Sequence, residues 1–374
     1  MDKIKILFLL YSLGGGGAEK VLVNLVNNMD RTRYDITVQT IFRAGVNKEF
    51  LKKKTRLIES GWKNFKGISI LFKLMPAGLL YRLLIRNEGY NLMVAYLHGA
   101  PTKVLWGCPD KKIRKIAWIH IDMKYSSLGR IFFSRKEIIK AFDSFDKIVG
   151  VSRTVRDSFV KMYGLNEKAV VKYNTNNIRQ INELSMEPVD PLLFPQDTLN
   201  IISLGRLAKQ KGYDRLLRVC MKLFGEGLKF NLYILGKGPE RDKLEGYIEK
   251  NLFPDRIKLL GFKENPYPYL KKAGLFVCSS FTEGLSTVIS EAIILGVPVI
   301  STRVSGAEEV LGYNNEYGLV VENSEEALYQ GIKELIENPD RIEFFRNKSV
   351  ERARFFDTAK TVKEVEDLIE EVVG

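Results

Sequence analysis

The stretch "GLFVCSSFTEGLSTVISEAIILGVPVIST", residues 274–302, contains two apolar runs on either side of a helical pattern. The runs "GLFVCSS" and "VPVIST" have the apolar, β-branched character of strands. Between them Gly284 is expected to open a helix, because Ile289, Ala292 and Ile293 recur at helical spacing. The stretch therefore predicts a strand, a helix and a second strand, the unit from which parallel sheets are built.

The same alternation of strand and helix patterns runs through most of the chain. In the first half the strand-like runs are "IKILFLLY", "DITVQTIF", "NLMVAY", "IRKIAWIH", "DKIVGVS" and "AVVKY". In the second half they are "LNIISLG", "KFNLYILG", "IKLLGF", "GLFVCSS", "VPVIST" and "YGLVV". The sequence therefore predicts two doubly wound α/β domains in series. Ligands of such sheets bind beyond the carboxyl ends of the strands, so we expect a cleft between the two domains.

The domain boundary is expected in the polar stretch that starts at Asn174, "NTNNIRQINELSMEPVDPLLFPQDTLN", whose three prolines suit a linker. We assign residues 1–180 to the first domain and residues 181–357 to the second. The last helical pattern, at about residues 358–374, is expected to pack back on the first domain, although periodicity alone does not place it.

Charge is distributed unevenly along the 374 residues. Residues 1–190 carry 33 Lys and Arg against 17 Asp and Glu, whereas residues 191–374 carry 25 against 28. The segment 48–86 has ten basic and two acidic residues, with apolar side chains between them. Such a mixture suits an anionic membrane surface, and the alternative is a solvated face. No motif supports binding of nucleic acid.

Neither membrane insertion nor disulfide bonding is predicted. The apolar run at residues 4–11 ends in glycines rather than in a cleavage site, and charged residues and a proline interrupt the one at residues 68–87. Cys108, Cys220 and Cys278 are far apart and lack any metal-ligand spacing. These features indicate a protein of a reducing compartment with buried, unpaired cysteines.

Two glutamates, Glu283 and Glu291, flank the start of the helix predicted after Gly284. Glu283 precedes the helix, and Glu291 is expected about two turns into it. The backbone N–H groups of residues 285–287 at the helix N-terminus form an anion site suited to phosphate. Because carboxylates repel phosphate, we expect the glutamates to bind hydroxyl groups and the backbone to bind the charge.

Two cations, Arg206 and Lys211, follow the first strand of the second series in "SLGRLAKQKGYDRLL". They lie between a strand and a helix, at the carboxyl end of the predicted sheet. In this position they can neutralise a diphosphate leaving group without a metal ion, by stabilising charge as it develops. The sequence contains no Asp-x-Asp pair for a divalent ion.

Four glycines at residues 14–17 join the first strand to the first helical pattern. A P-loop requires Lys followed by Ser or Thr, but Lys20 stands between Glu19 and Val21. A dinucleotide fingerprint requires glycine at position 19 and an acidic residue after the second strand, where Arg43 stands. Both interpretations fail, which leaves a different phosphate or sugar contact, or a tight turn.

Together these features resemble the retaining glycosyltransferases of family 4, whose GT-B fold consists of two Rossmann-like domains facing a cleft. The resemblance covers nearly the whole chain through "GGAEK", "GRLAKQKG", "LGKGPE" and the E-x7-E signature "EGLSTVISE". It implies transfer of a sugar from a nucleotide sugar, held mainly by the second domain, to an acceptor held mainly by the first. It also implies no cofactor and no metal, since the nucleotide sugar is a substrate. UDP is favoured over GDP by its frequency in the family.

The resemblance assigns most donor contacts to the second domain. Arg206 and Lys211 would hold the diphosphate, Glu283 the sugar hydroxyls, and Glu291 the ribose. The remaining donor contacts that it implies are Gly16 and Gly17 at the reacting end, Gly236, Lys237 and Phe262 around the nucleoside, and the backbone of Leu285, Ser286 and Thr287.

Two histidines, His98 in "AYLHGAPTK" and His120 in "AWIHIDM", follow strands of the first series. In similar enzymes a histidine placed like His120 hydrogen-bonds the donor sugar, which puts it among the catalytic residues with Arg206, Lys211 and Glu283. His98, Asp122 and Glu19 are expected on the acceptor side, and the alternative for Asp122 is to orient His120. The alternative for each histidine is a core or capping side chain with satisfied hydrogen bonds.

The mechanism implied by the resemblance is front-side attack, in which a donor phosphate oxygen takes the proton of the acceptor, so no protein base is assigned. Alternatives are a phosphorylase or a GT-B enzyme of different stereochemistry, and a noncatalytic nucleotide-sugar-binding subunit or membrane-associated scaffold partner. The basic first domain suggests a glycan or lipid-linked acceptor in capsule, exopolysaccharide or other surface-glycan synthesis. The protein is then expected in the cytoplasm, peripheral on the inner face of the membrane.

Overall fold

The structure, a computed structural model, describes residues 3–43, 45–86, 88–190, 193–251 and 255–374. Their strands are β1 Ile4–Leu10, β2 Tyr34–Phe42, β3 Arg56–Trp62, β4 Leu92–Ala95, β5 Arg114–Ile119, β6 Lys147–Gly150, β7 Ala169–Val171, β8 Leu199–Leu204, β9 Phe230–Leu235, β10 Ile257–Gly261, β11 Leu275–Cys278, β12 Val299–Thr302 and β13 Leu319–Val321. All twelve strands expected from the sequence are confirmed, and β3 is an addition.

The α-helices in the described residues are α1 Gly17–Asn28, α2 Ile68–Leu74, α3 Ala77–Leu84, α4 Ala100–Trp106, α5 Arg135–Asp143, α6 Arg153–Tyr163, α7 Ile178–Leu184, α8 Tyr213–Gly225, α9 Arg241–Lys250, α10 Tyr267–Lys271, α11 Thr287–Ile294, α12 Ala307–Leu311, α13 Glu325–Glu337, α14 Pro339–Arg352 and α15 Thr358–Val373. None of them combines the length and the apolar character needed to cross a membrane.

The strands form two wholly parallel sheets in this part of the chain. The first has seven strands in the order β3-β2-β1-β4-β5-β6-β7, and the second has six in the order β10-β9-β8-β11-β12-β13. The central strands are apolar on both faces, with Ile6, Leu7 and Phe8 of β1 fully buried. This is the pattern of a parallel sheet covered by helices on both sides.

The chain divides into two compact units by its internal contacts: Met1–Thr175 with Thr358–Gly374, and Asn176–Asp357. The boundary expected from the sequence lies a few residues later, between residues 180 and 181. The difference concerns α7, which lies in the stretch interpreted as a linker. At the end of α7, the carbonyl of Leu184 accepts a hydrogen bond from Asn265 of the second unit. The hydroxyl of Ser185, the next residue, accepts one from Lys271 of the same unit. The polar, proline-containing composition of this stretch concealed a short helix.

The missed strand β3 lies in the basic segment 48–86 and forms the edge of the first sheet. Among the described strands only β2 pairs with it, and its residues are all partly or fully exposed. Its sequence "RLIESGW" therefore lacks the continuous apolar character of the buried strands. The basic segment contains an edge strand followed by the two short helices α2 and α3, rather than one continuous charged face.

Candidate active site

Both sheets reverse the direction of strand addition at their first strand. In the first sheet β1 lies between β2 and β4, and in the second sheet β8 lies between β9 and β11. Loops that leave the carboxyl ends of such neighbouring strands diverge, and ligands of α/β sheets bind in the crevice they leave. The predicted site residues follow β1, β4 and β5 in the first unit and β8, β9, β10 and β11 in the second.

An ion pair between Lys211 and Glu283 lies at the reversal point of the second sheet. The Nζ of Lys211 is 2.6 Å from Oε1 of Glu283, and the hydroxyl of Ser280 donates to the same oxygen at 2.6 Å. The side chains of Lys211 and Glu283 are 22% and 11% exposed. We refer to Lys211, Ser280 and Glu283 as the second-unit cluster. Ser280 was not predicted from the sequence, although its position directly after a strand at this point was a usable signal.

The partner of Lys211, Glu283, stabilises the charged form of the lysine. Burial by itself would lower the pKa of Lys211, but the attraction of Glu283 and the hydrogen bond to its carboxylate outweigh burial, so the pKa lies above its ordinary value. Lys211 is thus a cation near neutral pH. A cavity of about 10 Å³ beside the pair has room for roughly one water.

Arg206 is exposed on the loop after β8, in contrast to Lys211. This loop lies against the loop after β9: the N–H of Leu207 donates to the carbonyl of Lys237 at 3.0 Å. Gly236 has φ +148°, and a Cβ there would collide with the carbonyl oxygen of Gly205. The motifs "GRLAKQKG" and "LGKGPE" are therefore neighbours because a glycine lets the two backbones touch.

The helix α11 begins at Thr287, so the expectation that Gly284 opens it is wrong by about three residues. Ser286 is the N-cap with ψ 113°, and the first intrahelical bond runs from the N–H of Ser290 to Ser286. The N–H groups without an intrahelical acceptor are thus those of residues 286–289, and Leu285 lies in the loop. Glu283 lies in the loop before the helix, where its carboxylate pairs with Lys211.

Glu291 lies about one turn into α11 rather than two, and it is 3% exposed. The hydroxyl of Tyr267 donates to its Oε1 at 3.2 Å.

On the loops after β9 and β10, Nζ of Lys237 lies 4.6 Å from the ring centre of Phe262, which is 49% exposed. An exposed aromatic face beside a cation provides a stacking surface for a base. The donor contacts predicted for Glu291, Lys237 and Phe262 remain predictions.

In the first unit, Tyr96 and His98 follow β4, and His120 follows β5. The rings of Tyr96 and His120 are 4.8 Å apart at their centres. Three buried atoms here have no hydrogen-bond partner among the described residues: the hydroxyl of Tyr96, Nδ1 of His98 and Nε2 of His120. We refer to these residues and Glu19 as the first-unit cluster. Buried polar atoms rarely lack partners, so several of them at one point indicate a place for a polar ligand or water.

The protonation of His120 follows from its contacts. Burial, together with the nearby His98, lowers the pKa of His120 to about 3, although a hydrogen bond to the backbone of Tyr96 opposes this shift. Because Nε2 is unpartnered, that bond is made by Nδ1–H, and Nε2 carries the lone pair of the neutral ring. Burial likewise lowers the pKa of His98 to about 4. His120 therefore presents a hydrogen-bond acceptor, which suits a sugar hydroxyl.

The glycine run at the start of α1 lies beside a carboxyl group. Gly16 is the N-cap of the helix, and the carboxyl group of Glu19 lies where a Cβ of Gly16 would be. Burial raises the pKa of Glu19, and burial together with the charge of Glu19 raises the pKa of Tyr96. The donor contact predicted for Gly16 and Gly17 remains a prediction. The absence of a side chain at Gly16 gives space to the carboxyl group of Glu19.

Tyr11, which the sequence did not single out, fixes the loop that carries His98. Its hydroxyl accepts from the N–H of Ala100 at 2.8 Å and donates to the carbonyl of His98 at 3.3 Å. Gly99 has φ +104°, and a Cβ there would collide with this hydroxyl. Asp122 caps the next short turn by accepting from the N–H of Lys124 at 2.9 Å. The contact of Asp122 with the acceptor substrate remains a prediction.

A larger cavity of the first unit, about 260 Å³, lies elsewhere, at the amino ends of β4 and β5 beside Tyr90 and Arg114. It is on the edge of the sheet opposite to the first-unit cluster. Among the described residues, no group of three or more His, Cys, Asp or Glu side chains is arranged to hold a metal ion.

Solved structures define the class of fold. Sucrose-phosphate synthase from Thermosynechococcus elongatus superposes with a TM-score of 0.81 at 16% identity, covering 99% of each chain. HepE from Anabaena, solved in complex with UDP and glucose, gives a TM-score of 0.78 at 19% identity, covering 98% of this chain and 99% of HepE. With its two parallel-sheet α/β units, the protein has the GT-B fold.

Family models identify the chain more closely. Residues 189–354 match glycosyl transferases group 1, and residues 15–178 match glycosyltransferase family 4. Among the relatives is the N-acetylgalactosamine-N,N'-diacetylbacillosaminyl-diphospho-undecaprenol 4-alpha-N-acetylgalactosaminyltransferase of Campylobacter jejuni, 27% identical, with 95% of this chain and 96% of that protein covered. The chain belongs to the group 1 glycosyltransferases, and the predicted family and fold are confirmed.

Proposed function

We propose that the protein is a retaining glycosyltransferase that moves a hexosyl group from a UDP-sugar to a lipid-linked glycan acceptor. The observation that carries the proposal is the second-unit cluster, in which Lys211 and Glu283 share a hydrogen-bonded contact at a ligand-binding edge of the sheet. The cation suits a diphosphate, and the carboxylate and Ser280 suit sugar hydroxyls. The solved HepE complex with UDP and glucose supports the donor class.

In this proposal Arg206 and Lys211 stabilise the negative charge that develops on the departing diphosphate, without a metal ion. Glu283 orients the donor sugar, and the lone pair of His120 Nε2 accepts a hydrogen bond from a sugar hydroxyl. The acceptor hydroxyl attacks the anomeric carbon from the side of the departing group, and its proton passes to a phosphate oxygen of the leaving nucleotide. No side chain then has to act as the base, which agrees with the depressed pKa values of both histidines.

The decisive experiment offers the purified protein a panel of UDP- and GDP-sugars with an undecaprenyl-diphosphate-linked oligosaccharide. Nucleotide release is measured with and without a chelator, and the anomeric configuration of the product is determined by NMR. We expect a UDP-sugar to be used, the configuration to be retained and the chelator to have no effect. The Arg218→Met variant is a matched control, because Arg218 is an exposed surface cation paired with Glu325.

Three outcomes would contradict parts of this proposal. An inverted product would assign different stereochemistry, and loss of activity with the chelator would assign a metal. Binding of the nucleotide sugar without turnover would favour the alternative, a noncatalytic subunit or membrane-associated scaffold partner. Activity of the protein by itself separates these classes, because a scaffold requires its partner.

We further propose that the first unit docks on an anionic membrane, which would place the enzyme at the cytoplasmic face where lipid-linked acceptors are extended. The segment 48–86 presents exposed apolar side chains at i, i+4 spacing on both short helices, Ile70 and Leu74 on α2 and Leu79 and Leu83 on α3. Cations such as Lys66 and Arg82 lie beside them in sequence. The relative from Campylobacter jejuni, whose name specifies a diphospho-undecaprenol substrate, supports this location.

Docking is tested by co-sedimentation with phosphatidylglycerol vesicles at low and high salt. We expect binding at low salt that weakens as salt screens the cations. The double variant Ile70→Ser, Leu74→Ser should bind more weakly, whereas Phe344→Ser, which changes an exposed apolar residue of the second unit, should not. Absence of binding by the unaltered protein at low salt would refute the docking surface.

A further inference from the structure

Arg215 is a buried cation on α8 that is only 2% exposed. Its guanidinium donates to the carbonyl of Ser279 through Nε at 2.9 Å and through Nη2 at 2.6 Å, and Nη2 also donates to the carbonyl of Ser280 at 2.7 Å. The ring of Phe281 covers the guanidinium at 4.0 Å. One side chain thus holds three consecutive residues of the loop that follows β11.

This loop forms hydrogen bonds with both members of the second-unit ion pair, Lys211 and Glu283. The hydroxyl of Ser280 donates to Glu283 at 2.6 Å, and the hydroxyl of Ser279 donates to the carbonyl of Lys211 at 2.9 Å. Gly212, the residue after Lys211, lies so close to the carbonyl of Ser279 that a Cβ would collide with it. The carbonyl of Ser279 therefore contacts both Arg215 and the segment that carries Lys211, and Ser279 itself belongs to the loop that leads to Glu283.

Holding a guanidinium in the interior requires strong hydrogen bonds, because desolvation of an unpaired charge is strongly unfavourable. The three hydrogen bonds of Arg215 all go to carbonyl oxygens of one loop. A guanidinium suits this task, since its rigid fork fixes two acceptors relative to each other in a way that an ammonium does not. The arrangement specifies the geometry of the loop as well as occupying space in the core.

We propose that Arg215 is a positioning residue for glycosyl transfer, which fixes the carbonyls of Ser279 and Ser280 so that Lys211 and Glu283 meet the donor in a set geometry. The inference rests on the proposed function of the second-unit cluster. Arg215 itself does not touch the donor; it acts through the two residues that do.

A thiol-labelling experiment tests the clamp independently of activity. Cys278, at the start of the loop, is 5% exposed, and Cys220, on the same helix as Arg215, is fully buried. Release of the clamp should raise the labelling rate of Cys278 by N-ethylmaleimide about tenfold while Cys220 stays protected, because the opening is local. We expect this result for Arg215→Met, a smaller effect for Arg215→Lys and none for Arg218→Met. Equal labelling of both cysteines, or no rise at Cys278, would overturn the clamp.

A double-mutant cycle with Glu283→Gln tests the link to catalysis. In the unaltered background we expect Arg215→Lys to lower kcat about tenfold or more, and in the Glu283→Gln background less than about twofold, because residues that act through one another are not additive. Additive losses would show that Arg215 only stabilises the fold, and the positioning role would be wrong. If the unaltered protein uses no nucleotide sugar, the proposed function fails, and the labelling result still judges the clamp.

Discussion

Lys211 and Arg206 come from one short motif, yet the fold gives them different environments. Lys211 is largely buried and paired with Glu283, whereas Arg206 is exposed on the loop before it. A buried charge that loses its partner leaves the other charge desolvated and unpaired, but an exposed cation stays solvated. The two side chains should therefore contribute similarly to catalysis and differently to stability.

Substitution by methionine separates these contributions. We expect both Lys211→Met and Arg206→Met to lower turnover of the donor by about 100-fold or more, as for other lost charge-stabilising groups. Only Lys211→Met should also lower the free energy of unfolding, by about 1–3 kcal/mol. Urea denaturation and steady-state kinetics on the same preparations provide the measurement. Near-normal turnover of either variant would show that the substituted cation has no catalytic role.

The two histidines of the first-unit cluster make stability depend on pH. Their pKa values lie below the ordinary 6.5, at about 4 for His98 and about 3 for His120, because burial disfavours the charged ring. The unfolded chain then binds more protons than the folded one, so stability is complete above pH 6.5 and is lost as the pH falls toward these values.

Replacing both histidines with glutamine should flatten this pH dependence. The slope of unfolding free energy against pH below pH 6.5 should fall, by at most about 1.4 kcal/mol per pH unit for each histidine. Urea midpoints of the double variant and of the unaltered protein, followed by tryptophan fluorescence, provide the comparison. Parallel curves for the two proteins would mean that the histidines are not held neutral.

At the scale of elements, glycine controls how closely the loops of the second unit approach. The loops after β8 and β9 touch through Gly205 and Gly236, which brings two motifs of the sequence together. Nothing in the spacing of these motifs indicates a backbone contact, because the contact depends on the pairing of β8 with β9.

Gly236→Ala should therefore destabilise the second unit strongly. The added Cβ would collide with the carbonyl of Gly205, and we expect a loss of about 2 kcal/mol or more. Gly246→Ala is the matched control: Gly246 lies in α9 with open space around it, so alanine should stabilise by up to about 1 kcal/mol. Urea denaturation measures both. Similar effects of the two substitutions would refute the close approach of the loops.

Elements with continuous apolar runs could be predicted from the sequence, and those at edges could not. The central strands are buried on both faces, which leaves only apolar residues and a clear signal. The strand β3 and the helix α7 have one-sided packing, so their sequences resemble charged surface and linker. The start of α11 was also missed, because the apolar spacing extends across Leu285, which the structure places in a loop.

At the scale of the whole molecule, the chain returns to its first unit after completing the second. Helix α15 buries Val365, Leu368 and Ile369 on one face. On its polar face Glu370 accepts from the hydroxyl of Tyr34 at 2.8 Å, and Glu366 accepts from the N–H of Asp30 at 2.7 Å. The last helix is thus part of the core of the first unit, although it follows the second unit along the chain.

Truncation after residue 357 should destabilise the first unit selectively. Loss of several buried apolar side chains should cost at least about 3 kcal/mol, which lowers the thermal midpoint by roughly 10 °C. All three tryptophans, Trp62, Trp106 and Trp118, lie in the first unit, so their fluorescence reports on it alone. Protection of the Cys220 thiol reports on the second unit and should persist. An unchanged fluorescence midpoint would mean that the helix contributes little.

The family, the two parallel sheets and the two charged residues of the second-unit cluster, Lys211 and Glu283, could all be predicted from the amino-acid sequence. Periodicity and local motifs contain this information, because burial between helices requires apolar strands and the residues of each loop follow their strand directly. The folded structure was needed to show that Lys211 and Glu283 are paired, that Arg215 holds their loops and that Glu19 occupies the space beside Gly16. These contacts join residues far apart in the chain, and strand order and packing, which local sequence does not encode, bring them together.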